Sequence, residues 1–190
     1  MAVPAPLLTY VRHAMAVPSD GVHPTEWHLD DAGREAARAG ADRLEVGRGI
    51  GSLVSSTEPK AMGTAQAIAE RWSVQVVPDD RLREALRPWI GPGYRAIVHR
   101  YLRGEPQEGW EPHETVAARV EAAVADAVAD AGGGATVVVS HGLSLALHLG
   151  DRLGPDFDRE SFWSGLAFPD AWALDGDEML HRSPPRTPIT

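Results

Sequence analysis

Short apolar runs alternate with stretches of helical spacing along most of the chain. Leu7-Leu8-Thr9-Tyr10-Val11 is rich in strand formers and stops at a polar loop from His13 to about Leu29, which carries Pro18, Gly21 and Pro24. Asp30 can cap a helix from about Asp31 to Val46, where Ala32, Ala36, Ala39 and Leu44 recur at helical spacing and Gly47 supplies the stop. Gly51-Ser52-Leu53-Val54-Ser55 reads as a second strand. Thr57 is a favourable N-cap for a helix from about Glu58 to Arg71, with Pro59 in its first turn. Val74-Gln75-Val76-Val77 follows as a third strand, broken by Pro78, Asp79 and Asp80.

From Arg81 to Pro112 the periodicity weakens. Pro88, Gly91, Pro92, Gly93, Gly104, Pro106 and Gly109 surround one predicted helix, Tyr94 to Leu102, so 85–112 is expected to be an insertion over a site. Glu114 to Ala131 is strongly helical and ends at Gly132-Gly133-Gly134. Thr136-Val137-Val138-Val139-Ser140 is the continuous apolar run of a strand buried on both faces, and it leads through His141-Gly142 into another helix. Ala171 to Leu174 and Glu178 to Leu180, around Asp175-Gly176, predict a hairpin at the sheet edge. Alternation of strands and helices predicts an α/β three-layer sandwich, with a mostly parallel central sheet and helices on both faces. One domain is expected over 1–182, with a proline-rich, unstructured tail at 183–190.

Composition narrows the chemistry. Eighteen basic against 27 acidic side chains give a net charge of -9, and no basic run is present to follow a phosphodiester backbone, so nucleic acid and anionic membrane are not expected partners. There is no cysteine, which removes disulfides, thiolate metal sites and a cysteine nucleophile. Met1 to Tyr10 lacks the basic start and long apolar run of a signal peptide, and no segment approaches the roughly 20 apolar residues of a membrane span. The expected location is the cytoplasm. His23, His28, His99, His113, His148 and His181 show no metal-ligand spacing, and no metal or cofactor is expected.

Every candidate reactive group falls at the carboxyl end of a predicted strand, where open α/β sheets bind ligands. Arg12-His13-Ala14 leaves the first strand and Ser140-His141-Gly142 leaves the last of the parallel set. Together with Ser55-Ser56-Thr57-Glu58-Pro59-Lys60-Ala61-Met62-Gly63-Thr64-Ala65, they resemble the histidine phosphatase superfamily, the phosphoglycerate-mutase-like fold, over about residues 7 to 175. Two positions depart from the family pattern: Lys60 stands where arginine is usual, and Ala14 where glycine is. A lysine cannot repeat bidentate contact, and Ser56 and Thr57 are the nearest supplementary donors. Ala14 is harmless if it keeps a negative φ.

The resemblance implies a metal-independent phosphatase of the histidine acid phosphatase type, acting on phosphate monoesters. It assigns His13 as the nucleophile, Arg12, Lys60 and His141 as the phosphate-binding groups, and protonated His141 as a donor to the transition state. Glu84 resembles the general acid and later base, with Asp79 and Asp80 as rivals. Phosphoglycerate-mutase-like transfer, or a degenerate site that only binds a phosphorylated ligand, are the alternative readings. The expected partner is a small phosphorylated substrate or a phosphopeptide. Trp89, Tyr94 and Trp110 are candidates for the substrate mouth, whereas Trp72, Trp163 and Trp172 read as core. Arg83, Arg87, Arg95, Arg100 and Arg103 hint at an acidic or multiply phosphorylated substrate, though a solvated basic face explains them more simply.

Overall fold

The computed structural model describes residues 8–47, 49–91, 93–175 and 178–181. The tail at 183–190 and the glycine of the predicted 175–176 turn lie outside them. In chain order the elements are β1 (Leu8–Arg12), α1 (Asp31–Asp42), β2 (Ile50–Ser55), α2 (Pro59–Trp72), β3 (Val77–Pro78), α3 (Tyr94–Leu102), α4 (His113–Asp130), β4 (Ala135–Ser140), α5 (Gly142–Leu153), α6 (Arg159–Gly165), β5 (Asp170–Asp175) and β6 (Glu178–His181). They build one six-stranded sheet in the order β3-β2-β4-β1-β5-β6. The first four strands in that order run parallel, while β5 pairs antiparallel with β1 and β6 with β5. The predicted α/β architecture with an edge hairpin is therefore the observed one.

The period of two along the central strands sorts side chains between two cores. Val137 and Val139 of β4, with Val11 of β1, pack under α1 and α2 against Ala41, Ala61, Ala65 and Ile68. Val138 and Tyr10 point the other way, into a cluster with Val116, Val120 and Val124 of α4 and Leu143, Leu145 and Leu147 of α5. All six residues of β4 are buried, which is why that strand reads as an unbroken apolar run. Burying one such valine is worth about 1.5–3 kcal/mol. In α5 the same face meets a polar partner: buried His148 is hydrogen-bonded to Tyr10 Oη at 2.7 Å, and burial pushes the imidazole down to about 4. Among the described residues no helix is long and apolar enough to cross a membrane.

Some boundaries differ from expectation for identifiable reasons. Helix α1 stops at Asp42 rather than Val46, because the Trp72 indole donates to the Ala41 carbonyl and turns the chain, so that Leu44 and Val46 drop into the core. Thr57 does not cap α2: its hydroxyl donates to Asp80 Oδ1 at 3.0 Å, and Glu58 occupies the cap position without a side-chain cap bond. The third strand is only Val77–Pro78, and Val74 and Val76 instead pack on the α2 side. Proline is tolerated there because β3 is the sheet edge. Helix α6 is not among the predicted elements, although Asp158 supplies an N-cap signal: its Oδ1 accepts the Ser161 N–H at 3.0 Å.

Candidate active site

Strand register builds the site. Arg12 of β1 lies opposite Ser140 of β4, and His13 N–H continues the ladder to the Ser140 carbonyl at 3.1 Å. On the other flank Ser55 lies opposite Val139, and Ser56 N–H donates to the Val139 carbonyl at 2.9 Å. His13, Ser56 and His141 therefore leave three adjacent strands at one level. The two imidazoles end with ring centroids 5.1 Å apart. A cavity of about 180 Å³ opens there, with Arg12, His13, Glu58, Lys60 and Glu84 in its lining. His141 sits beside His13, fully buried at the start of α5.

His13 is held by Nδ1, which lies 2.7 Å from the Ala14 carbonyl. A carbonyl only accepts, so Nδ1 carries the hydrogen and Nε2 keeps its lone pair. Burial, reinforced by neighbouring His141, Lys60 and Arg12, drives its pKa well below the ordinary histidine value, so the ring is neutral. Ala14 is itself fully buried, has no positive φ, and donates its N–H to Thr64 Oγ1 at 2.9 Å. That bond ties the loop after β1 to α2 and accounts for the threonine. Alanine at 14 leaves the loop unstrained.

Arg12 stacks on Phe168, its guanidinium carbon 3.4 Å from the ring centroid, and Nη1 donates to the Leu166 and Ala167 carbonyls at 3.1 and 3.4 Å. Burial lowers its pKa to about 10, against the opposing pull of Glu84, Tyr94 and Asp170, so it remains a cation at neutral pH. Its Nε and His141 Nδ1 are buried polar atoms without a hydrogen-bond partner. Gly142 is also set by this packing: a Cβ there would stand 3.2 Å from Trp163 and 3.4 Å from the Arg12 guanidinium carbon.

His141 Nε2 is hydrogen-bonded to Ser56 Oγ at 2.8 Å. Burial, with Lys60, Arg87, Arg12 and Arg119 around it, depresses its pKa far below the usual value. The ring is therefore neutral, and the protonated His141 implied for the phosphate-bound state needs the charge of an anion beside it. Ser56 is a neighbour of that ring, whereas Thr57 is exposed and turned to Asp80, so it is no supplementary donor.

Glu84 lies across the start of α5. Its Oε1 accepts from the N–H groups of Ala85 and Ser144, both at 2.9 Å, and its Oε2 from Leu143 N–H at 3.2 Å. Burial alone would raise its pKa, but the Arg87 charge and these amides together outweigh it and hold the carboxyl below its ordinary value. Asp79 is bound to Arg81 and Asp80 to Thr57 and Arg83, and neither lines the cavity.

Glu58 is the site residue the sequence reading passed over. It is buried, pairs through Oε2 with Lys60 Nζ, and accepts the Glu84 N–H on Oε1 at 2.8 Å. The same Oε1 stands 3.6 Å from His141 Nε2. Lys60 also donates to the Pro24 carbonyl at 2.7 Å, so it is held from two sides. No periodicity rule announces such a pair two residues apart across Pro59; the one available signal was an acidic residue beside the lone lysine in a serine-rich loop. Trp110 packs behind Tyr94 and against Tyr101 instead of lining the mouth, and Trp163, expected in the core, lines the cavity. Among the described residues no group of three or more His, Asp or Glu side chains is placed to hold a metal ion.

The model of the histidine phosphatase superfamily (branch 1) matches residues 8–165. Among solved structures, the mycobacterial glucosyl-3-phosphoglycerate phosphatase is 26% identical with a TM-score of 0.70, the match covering 89% of each chain. Mycobacterial hydrolase 1 is 25% identical with a TM-score of 0.70, covering 90% of each. The alpha-ribazole phosphatase of Shigella flexneri, 18% identical, shares the fold at a TM-score of 0.64 over 93% of this chain and 94% of that one. No curated protein matches the chain.

Proposed function

The chain belongs to the histidine phosphatase superfamily, and we propose that it hydrolyses phosphate monoesters through a phosphohistidine formed on His13. One observation carries this reading: His13 spends its Nδ1–H on the Ala14 carbonyl and keeps Nε2 unprotonated beside the cavity that Arg12 and Lys60 line. The phosphatases among the similar structures support the same class of reaction. The expected substrate is a small phosphorylated molecule or phosphopeptide, and no metal or cofactor enters the mechanism.

In this mechanism Arg12 and Lys60 hold the phosphoryl oxygens, and His141 takes up a proton from solvent on substrate binding and keeps it through the turnover, because the anion's charge offsets the neighbouring cations. Nε2 of His13 attacks phosphorus in line, the P–N bond forms and the P–O bond to the alcohol breaks. Glu84 is held as a carboxylate, so the proton for the departing oxygen arrives with the monoanionic phosphoryl group and passes across Glu84. That carboxylate then takes a proton from water as the water oxygen attacks phosphorus, and His13 leaves as the neutral ring it began as.

Purified protein incubated with an aryl phosphate and a panel of phosphorylated metabolites and phosphopeptides is expected to release phosphate equally with and without chelator. Loss of release on chelation, or binding without turnover, defeats the reading. A second expected result concerns Lys60. Glu58→Gln removes the charge partner of a buried ammonium, which costs roughly 3 kcal/mol of stability. Inorganic phosphate should raise the thermal midpoint of this variant more than that of the parent, because the ligand supplies the lost anion. Equal shifts in a melting series would show that Lys60 does not meet phosphate.

A further inference from the structure

Resting on the phosphatase reading, we propose that the preferred substrate is a phosphomonoester whose alcohol carries a flat apolar ring, rather than a polyhydroxylated or multiply phosphorylated compound. The ground is the wall around the cavity. Three of the six tryptophans, Trp27, Trp89 and Trp163, line it together with Tyr94, Phe168 and Met15. Trp27 meets Trp89 edge to face with centroids 5.4 Å apart, Trp89 continues to Tyr94 at 5.8 Å, and Tyr94 to Trp163 at 6.5 Å. Phe168 closes the arc beside the nucleophile, 5.4 Å from the His13 ring.

Trp89 is 47% exposed and Met15 53%, so the mouth presents apolar surface to water when empty. A ring gains by covering that surface, whereas hydroxyl groups brought against it lose water and find no partner. Several polar groups at the mouth are already engaged. Trp27 Nε1 donates to the Val22 carbonyl, Thr25 Oγ1 is bonded to His23, and Arg87 Nε donates to Tyr94 Oη while its guanidinium lies 4.8 Å over that ring.

The lining offers a second phosphate one further cation, flanked by two carboxylates. Beyond Arg12 and Lys60 the cavity's cation is Arg87, and Glu58 and Glu84 share the lining and repel further negative charge. Three of the five basic side chains that hinted at a multiply phosphorylated substrate are paired elsewhere, Arg83 with Asp80 and Glu111, and Arg100 and Arg103 with Glu105, while Arg95 lies over the Trp163 ring at 5.3 Å.

The test compares kcat/KM for benzyl phosphate and glycerol 1-phosphate. Both leave as primary alkoxides, so the ring rather than leaving-group acidity sets the difference. Benzyl phosphate is expected to win by about tenfold or more, mainly through KM. Trp89→Ala should collapse this ratio, and Trp89→Phe should restore it. Equal or better turnover of glycerol 1-phosphate or fructose 1,6-bisphosphate, or an unchanged ratio in Trp89→Ala, overturns the inference. Comparing a phosphotyrosine peptide with free phosphotyrosine, which share a leaving group, separates the sources of the ring: a higher kcat/KM for the peptide places it on a protein, and a lower one places it on a small molecule. Release from p-nitrophenyl phosphate without discrimination among the other esters defeats the ring inference alone. No release from any ester defeats the phosphatase reading with it.

Discussion

Replacing His13 by alanine is expected to reduce phosphate release by at least about 10^4-fold, because the covalent step loses its nucleophile while the oxyanion-binding groups remain. The fold should survive, since the change removes a ring at a cavity wall and leaves the His13 N–H bond to Ser140 in place. Quenching the parent during turnover of labelled substrate should trap label on protein that is stable in base and lost in acid, and His13→Ala should trap none. Persistence of full activity in the variant would exclude His13 as nucleophile. The pH profile gives an independent reading of the same group. The nucleophile works deprotonated and its pKa is pushed below the ordinary value, so protonation of His13 does not limit kcat/KM until the pH is well under about 6.5. An acid limb centred at 6.5 would contradict the burial of the ring.

Glu84→Gln tests the proton path. Glutamine keeps a carbonyl oxygen for the amides of α5 but can neither deliver nor accept a proton, and kcat for an alkyl phosphate should fall by about 10^3-fold. With p-nitrophenyl phosphate the first step needs no acid, so the loss shifts to water attack. Rapid mixing should then show a burst of nitrophenol near one equivalent, with phosphoprotein accumulating behind it. Equal losses on both esters with no burst would assign the residue a merely structural part.

The strand ends were legible before any coordinates because parallel strands that carry helices on both faces leave apolar runs with abrupt polar stops, and those stops held Arg12, His13 and His141. The contacts of Lys60 and Glu84 were not legible. They depend on Glu58, whose carboxylate joins a lysine two residues away and an amide 26 residues away, and no spacing rule encodes either. The aromatic wall was hidden for a related reason. Its members come from the loop after β1, the approach to α3, α6 and the turn before β5, segments whose packing is decided by tertiary contact rather than by periodicity. Trp163 packs against the core and also lines the cavity, while Trp110 stays behind Tyr94, because sequence alone cannot say which side of Tyr94 a half-buried tryptophan occupies.

The central position of β4 bears on how the molecule is made. The strand that carries His141 is inserted between β2 and β1, so the first 130 or so residues leave a gap in the sheet where the site belongs. Closing that gap joins segments far apart along the chain, the kind of contact whose loop entropy makes it slow to form. A nascent chain emerging from the ribosome therefore exposes the apolar flanks of β1 and β2 until β4 arrives, and gains both its second imidazole and its protection from aggregation in the same event.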